Sequence, residues 1–327
     1  MTHKVAVIGE LNVDLIATGL AAAPTFGQEI LAADFQITLG SASAIFACGV
    51  SRLDHAVTFI SRVGTDLFGR FCLEALSQAG VSTRRVARDP NAKTGVTLSL
   101  SARQDRALVT YLGAIAELEY TQVPMAALKG HRHLHMTSYF LQQKLRPAFA
   151  KILARARQMG LTTSFDPNSD PSQTWSEEIR EVLAHADILF VNEPEAKQLT
   201  RQQDVQEALK SLGRLVPCAV VKLGPQGAIG TREGEIAFVP GFKVNTVDTT
   251  GAGDSFAAGF VHGFLEGKSL RECLKIGNAC GALSTLQAGG TSSQPDREQV
   301  KEFLLSSPLT TGGTDFSLCH FLILQRQ

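Results

Sequence analysis

With 327 residues, 44% of them hydrophobic, the chain has material for one large α/β domain or two smaller ones and for a sizeable buried core. Its 31 basic residues balance 31 acidic ones, so no basic field argues for nucleic acid or an anionic membrane, and a small-molecule partner fits better. No uninterrupted apolar run reaches the roughly 20 residues of a membrane span. Met1-Thr2-His3-Lys4 passes at once into an apolar strand pattern with no signal-peptide cleavage region, which makes a cytoplasmic location the expectation. The cysteines at 48, 72, 218, 273, 280 and 319 lack any C-x-x-C spacing and read as reduced thiols, mostly core, with Cys273 and Cys280 on the buried face of one helix.

In chain order, residues 5–8 read as a central parallel strand. Gly9-Glu10-Leu11-Asn12-Val13-Asp14 follows at its C-terminal end, where ligands bind in open α/β sheets. From the residue alone, Asp14 serves equally well as a loop cap. Residues 27–39 and 94–112 are β-rich and alternating, and look like excursions from the α/β pattern. Between them, Gly40-Ser41-Ala42-Ser43-Ala44-Ile45 opens a small-residue helix, and Val63-Gly64-Thr65-Asp66-Leu67-Phe68-Gly69 reads as a structural turn before another. His133 and His135 would face one side of a strand, but no third ligand with plausible spacing accompanies them, and a metal site is rejected.

A helical pattern over 147–159 ends at Gly160, and the strand 161–165 leads into Asp166-Pro167-Asn168. The strand 188–191 leads into Asn192-Glu193-Pro194-Glu195, a helix cap by its residue types and also a suitable holder of Mg²⁺, which takes oxygen ligands and few carboxylates. Residues 219–228 form a buried strand that closes in a glycine turn containing Lys222, Gly224 and Gly227.

The most informative stretch is Asp248-Thr249-Thr250-Gly251-Ala252-Gly253-Asp254, a strand-like segment meeting two glycines and then an alanine-rich helix. Unpaired N–H groups at such a loop and first helical turn make a cradle for anionic oxygen, and small residues leave room for its approach. A carboxylate at Asp254 would repel a phosphate there unless it has a chemical task. That task is to take a proton from a hydroxyl while the cradle stabilises a transferring phosphoryl group. Dinucleotide and P-loop readings fail, because Phe256 stands where a third glycine is needed and Gly263 to Lys268 is one residue short between its glycines.

The Asp-Thr-Thr-Gly-Ala-Gly-Asp string resembles the second signature of the ribokinase-like (PfkB) carbohydrate kinases, and ordered motifs carry the resemblance over residues 4–305. It implies a three-layer α/β/α sandwich with a mainly parallel sheet, a small β-sheet lid from 27–39 and 94–112, and a homodimer formed through that lid. The implied reaction moves the γ-phosphoryl group of ATP to a hydroxyl of a sugar or nucleoside, with Asp254 as base and the 251–254 amides as anion hole. Asn12, Asp14, Gly40, Ser41 and Ser43 are the implied acceptor side. Asn168, Asn192, Lys222, Gly224, Gly227, Thr250 and Asn278 are the implied nucleotide side, Glu195 holds magnesium through water, and Asp248 with the 287–292 loop forms a monovalent-cation (K⁺) site. The first signature is only partly matched: Ser41 replaces its second glycine and Ile45 its asparagine, so an expected sugar-binding amide is missing and a ligand-sensing pseudokinase stays open as a second class. Beyond residue 305 the resemblance fades, leaving a tail, 306–327, of unknown role.

Overall fold

The computed structural model describes residues 1–102 and 105–306; residues 307–327, with Cys319 and nearly all of the expected tail, lie outside the described residues. Two sheets organise the described chain. In order along the chain come β1 (Lys4–Ile8), β2 (Asn12–Leu20), β3 (Asp34–Leu39), α1 (Ala42–Arg52), β4 (Ala56–Gly64), α2 (Leu67–Gln78) and β5 (Ser82–Asp89). Next are β6 (Gly95–Ala102), β7 (Asp105–Tyr111), β8 (His133–Thr137), α3 (Phe149–Gln158), β9 (Thr162–Asp166), α4 (Ile179–Leu183), β10 (Ile188–Asn192), α5 (Glu193–Thr200) and α6 (Val205–Leu212). The C-terminal part supplies β11 (Cys218–Lys222), β12 (Gly227–Arg232), β13 (Glu235–Pro240), α7 (Ala252–Leu265), α8 (Leu270–Ser284) and α9 (Arg297–Ser306).

The nine-stranded sheet has the order β13-β12-β11-β10-β9-β8-β1-β4-β5, parallel from β11 to β5, with β12 and β13 antiparallel at one edge. Its inner strands β1, β10 and β11 are almost wholly apolar because both faces are covered. Val5 and Val7 pack into one layer with α1, α2, α7 and α8, while Ala6 and Ile8 pack into the other with α3 to α6. That is the expected three-layer sandwich. In the first layer α7 and α8 approach closely because α7 carries glycine where they meet: a Cβ on Gly259 would stand 2.6 Å from Cys280 Sγ. Cys273 and Cys280 do share that buried face, and all five described cysteines are buried thiols. His133 and His135 lie inside the sandwich, bonded to Thr162 and Ser164, with His135 stacked on Phe46.

The second sheet, β3-β2-β6-β7, is the lid. Two expectations need correcting here. Residues 12–20 form a lid strand outside the expected segments 27–39 and 94–112, and residues 27–33 are irregular, so β3 begins only at Asp34. The cause is visible in the alternation of β2: Asp14 and Ile16 point to one face and Val13, Leu15 and Ala17 to the other, a period-2 pattern that the Asn12-Val13-Asp14 motif obscured. Asp66 ties the lid to the sandwich, since it caps α2 through Gly69 N (2.8 Å) and also accepts from Thr94 N (2.8 Å) and Thr94 Oγ1 (2.7 Å) just before β6.

Candidate active site

The C-terminal ends of β1, β8 and β9, the lid, and the N-terminus of α7 enclose one cleft of about 230 Å³. From the lid come Asp14, Ile16, Thr97, Ser99, Leu108 and Thr110, which register puts on a single face of the small sheet. From the sandwich come Glu10, Ser41, Ile45, Ser138, Asn168 and the Thr250-Gly251 turn with Asp254. Sequence reasoning thus brought together residues 240 positions apart; what it missed was the polar stripe of β6 and β7, Glu10 and Ser138. The signal for Glu10 was its place directly after the first strand, and for Thr97 and Ser99 the alternation of polar with apolar residues.

Asp14 and Asn12 line the lid side of the cleft together. Asn12 Nδ2 donates to Asp14 Oδ1 (2.9 Å) and Thr97 Oγ1 (3.2 Å), which fixes the carboxylate. Gly40 lies directly against this pair, and any Cβ there would collide with Asp14 Oδ1, so glycine is required by close approach. Ser41 reaches the cleft, but its Oγ donates to Glu10 O (2.6 Å) and accepts from Ala44 N (3.1 Å) as the cap of α1. Ser43 is a correction. It is fully buried behind the wall, where its backbone N (3.2 Å) and its Oγ both donate to the Glu10 carboxylate, so it holds Glu10 and does not line the cleft.

The Asp248–Asp254 turn is built as its residue types demand. Gly251 has φ of 71°, a left-handed conformation, and begins α7, whose first turn carries Ala252, Gly253 and Asp254. Asp248 holds the approach: Oδ1 accepts from Thr250 N (2.9 Å) and Thr250 Oγ1 (2.8 Å), and Oδ2 accepts from Gly289 N (2.9 Å), which joins it to the 287–292 loop. Burial pushes the Asp254 carboxyl up to about 8; Lys222 opposes the shift, and the charges of Asp166, Glu10 and Glu195 add to it.

Beside this turn lies an ionic cluster. Lys222 Nζ, at the end of β11, pairs with Asp166 Oδ2 (2.6 Å), at the end of β9. Burial alone would lower the Lys222 ammonium, yet Asp166, Glu195 and Asp254 hold it above the usual lysine range. Glu195 and Asn192 form a reciprocal capping box at α5, with Glu195 N donating to Asn192 Oδ1 (2.9 Å) and Asn192 N to Glu195 Oε2 (2.9 Å), while Ser169 Oγ donates to Glu195 Oε1 (3.1 Å). Burial first, and then the charge of Asp166, keep the Glu195 carboxyl above the ordinary range. A buried carboxylate pair with excess negative charge and oxygen donors is chemically suited to Mg²⁺.

The remaining residues expected on the nucleotide side divide. Asn168, at φ 55°, donates through Nδ2 to Thr137 Oγ1 (3.1 Å) and Ser138 Oγ (2.8 Å), and with Thr250 it lines the same cleft as Asp14. Gly224 (φ 58°) faces open space, whereas Gly227 (φ 109°) is packed beneath the backbone of β13 and is structural. Asn278 spends its amide nitrogen on Val239 O (2.9 Å) and Pro240 O (3.1 Å), fastening α8 to β13.

A family model described as "pfkB family carbohydrate kinase" matches residues 2–297. The chain belongs to that family. This PfkB kinase is 29% identical over 316 residues to a ribokinase of Haemophilus influenzae, across 93% of this chain and 99% of the relative. It is 32% identical over 287 residues to a 2-dehydro-3-deoxygluconokinase of Bacillus subtilis, across 83% and 87% of the two chains. The structure of Arabidopsis thaliana ribokinase complexed with ribose and ATP superposes with a TM-score of 0.82 at 25% identity, covering 93% of this PfkB kinase and 99% of that chain. It is a sugar kinase with the ribokinase fold.

Proposed function

We propose that this PfkB kinase transfers the γ-phosphoryl group of ATP to a hydroxyl of a sugar or sugar-containing acceptor, with Asp254 as general base. One observation carries the reading: the Asp254 carboxyl, in the first turn of α7 behind Gly251-Ala252-Gly253, opens on the same cleft as Asp14 and Asn12. An acceptor gripped at one end by Asp14 and Asn12 presents its other hydroxyl to Asp254, whose carboxylate removes the proton as the oxygen attacks. The 251–254 amides take up charge on the transferring group.

Asp166 and Glu195 would hold magnesium, Glu195 through water, and Asn192 orients Glu195; the ion would neutralise charge on the nucleotide phosphates. Lys222, Gly224 and Thr250 border the phosphate path, and Asn278 frames the nucleotide side through its hold on β13. Asp248 and the carbonyls of the 287–292 loop are the candidate holders of K⁺, and their proximity is supported by the Asp248–Gly289 bond.

The face of the lid turned away from the cleft is apolar. Leu15 aligns with Ile37 and Leu98, and Leu98 with Val109; Phe35, Ile37, Leu98, Val109 and Tyr111 are all exposed. A patch of this kind marks an interaction surface, which supports a homodimer formed lid to lid. Among the described residues no helix is long and apolar enough to cross a membrane.

The test is a screen of ADP release with Mg²⁺-ATP against neutral sugars, sugar acids, sugar phosphates and nucleosides. Product with at least one acceptor is expected. Tight acceptor binding by calorimetry with no product at high enzyme concentration would favour the sensor reading that Ile45 and Ser41 leave open.

A further inference from the structure

Lys222 stands out because its neighbours are so nearly all acidic. Its Nζ lies 2.6 Å from Asp166 Oδ2, with its side chain 15% exposed and that of Asp166 2% exposed. The same ammonium touches the space over the anion loop: a Cβ built on Gly253 would stand 3.2 Å from Lys222 Nζ. Because residues 251–253 are glycine and alanine, no long side chain separates the ammonium from the loop amides. A short shift of a flexible four-carbon side chain therefore carries the charge from Asp166 to an oxygen held at the loop.

A phosphate entering this corner lies near the carboxyl groups of Asp166, Glu195 and Asp254, none of which attracts it. The amides of a helix N-terminus carry only partial positive charge, on the order of half an elementary charge. A full cation that can turn toward the phosphate is what the arrangement needs, and Lys222 is placed to be it.

We propose that Lys222 is a catalytic residue that exchanges partners, pairing with Asp166 in the free enzyme and with an oxygen of the transferring γ-phosphoryl group once ATP is bound. This rests on the phosphoryl-transfer reading above. In that step the bond from phosphorus to the ADP oxygen breaks, the bond to the acceptor oxygen forms, and the acceptor proton goes to Asp254. Lys222 forms no covalent bond; it neutralises charge that grows on the γ-oxygens.

The test compares wild type, Lys222→Met and Lys222→Arg in two assays. Calorimetry with ADP and with a non-hydrolysable ATP analogue reads the ground-state contact. Lys222→Met is expected to bind the analogue about tenfold more weakly, as for loss of one charge-assisted hydrogen bond, while ADP affinity stays unchanged. Kinetics should show kcat lower by about 10²–10³-fold, the range for losing one transition-state donor, with the KM of the acceptor unchanged and partial recovery in Lys222→Arg. Equal effects on ADP and the analogue, or a wild-type kcat in Lys222→Met, would overturn the proposal. If Lys222→Met fails to fold because Asp166 is left unpaired, the double variant Lys222→Met/Asp166→Asn removes that charge, and its affinities decide in the same way. If the wild type itself turns over no acceptor, the phosphoryl-transfer reading falls, while the split between ADP and the analogue still judges the contact.

Discussion

Ile45 packs directly on Gly251. A Cβ on Gly251 would stand 2.9 Å from Ile45 Cγ2, and one on Gly290 would collide with Ile45 Cδ1, so this side chain touches the anion loop, the 287–292 loop and the acceptor cleft together. The wall of the cleft and the backbone of the Gly251 turn are thus one packed unit. Gln294 reinforces it from behind, donating through Nε2 to Ile45 O (2.8 Å) and Ser255 Oγ (2.9 Å).

That packing makes Gly251→Ala damaging for two reasons. A left-handed φ costs a non-glycine residue roughly 1–2 kcal/mol, and the new methyl group overpacks against Ile45 at about 1–3 kcal/mol. We expect a lower Tm and a kcat reduced by about 10²-fold, because the turn shifts relative to the acceptor. Combining Gly251→Ala with Ile45→Ala should relieve the steric part, giving a coupling of about 0.5–3 kcal/mol in thermal or denaturant unfolding. Strict additivity of the two changes would show that Ile45 and Gly251 do not share a contact.

For Asp254→Asn, phosphoryl transfer should fall by about 10²–10⁴-fold while ATP affinity holds, since the base is lost and the amides remain. The pH profile gives a second check. With its carboxyl raised to about 8 in the folded protein, the free enzyme gains active base as pH rises toward that value, so kcat/KM should climb over the neutral range. Stability runs the other way. Between the ordinary value of 3.8 and about 8 the folded state keeps a proton that the unfolded state releases, so this group's contribution weakens as pH rises through that window. Asn abolishes the ionisation, and the Tm of Asp254→Asn should therefore gain on wild type from pH 5 to 8; a constant difference would place the perturbed group elsewhere.

Part of this arrangement was legible in the sequence because several polar residues stand at or just after strand ends, as Lys222 and Asn168 do, which period and punctuation reveal. Asp254 stood out through the glycine pair that opens α7, and Asp14 through its place soon after the first strand. The lid was only half legible: β2 carries Asn12 and Asp14, whose chemistry drew attention from the alternation that makes 12–20 a strand. Ser43 misled for a different reason. Its hydroxyl looked available in sequence, but α1 turns it inward, where a buried carboxylate, Glu10, needs it. Asn278 likewise has a polar side chain in the right helix, with its donor consumed by the neighbouring strand.

Asp14→Ala should weaken the acceptor by about 1.5–3 kcal/mol, the worth of hydrogen bonds to a charged group, and leave the nucleotide nearly untouched. Asn12 Nδ2 also loses its bond to Asp14 Oδ1, so the acceptor end becomes less ordered as well as less charged. Calorimetric titration of sugar and of ATP separately checks this. Equal weakening of both would mean that Asp14 serves the lid rather than the acceptor.

The last prediction concerns Ile45 itself. Buried at 3% exposure yet lining the cleft, it offers an acceptor hydroxyl no partner, and Ser41, the serine beside it that also lines the cleft, already bonds Glu10 O and caps α1. A hydroxyl left unpaired there costs roughly 1–3 kcal/mol, so the natural acceptor should be deoxygenated, or carry an apolar group or base, opposite this residue. Ile45→Asn should then raise kcat/KM for ribose or fructose relative to that acceptor by about 10-fold or more, the ratio that such a penalty implies. The substitution also removes methyl groups from Gly251 and Gly290, at a cost of about 1 kcal/mol or more in packing, so absolute kcat should drop for every substrate and only the ratio is diagnostic. Steady-state kinetics of both enzymes on one substrate panel, with Tm as the control for folding, decides the matter. An unchanged ratio in a folded variant would mean that the acceptor does not meet residue 45, and that its role is confined to bracing the anion loop.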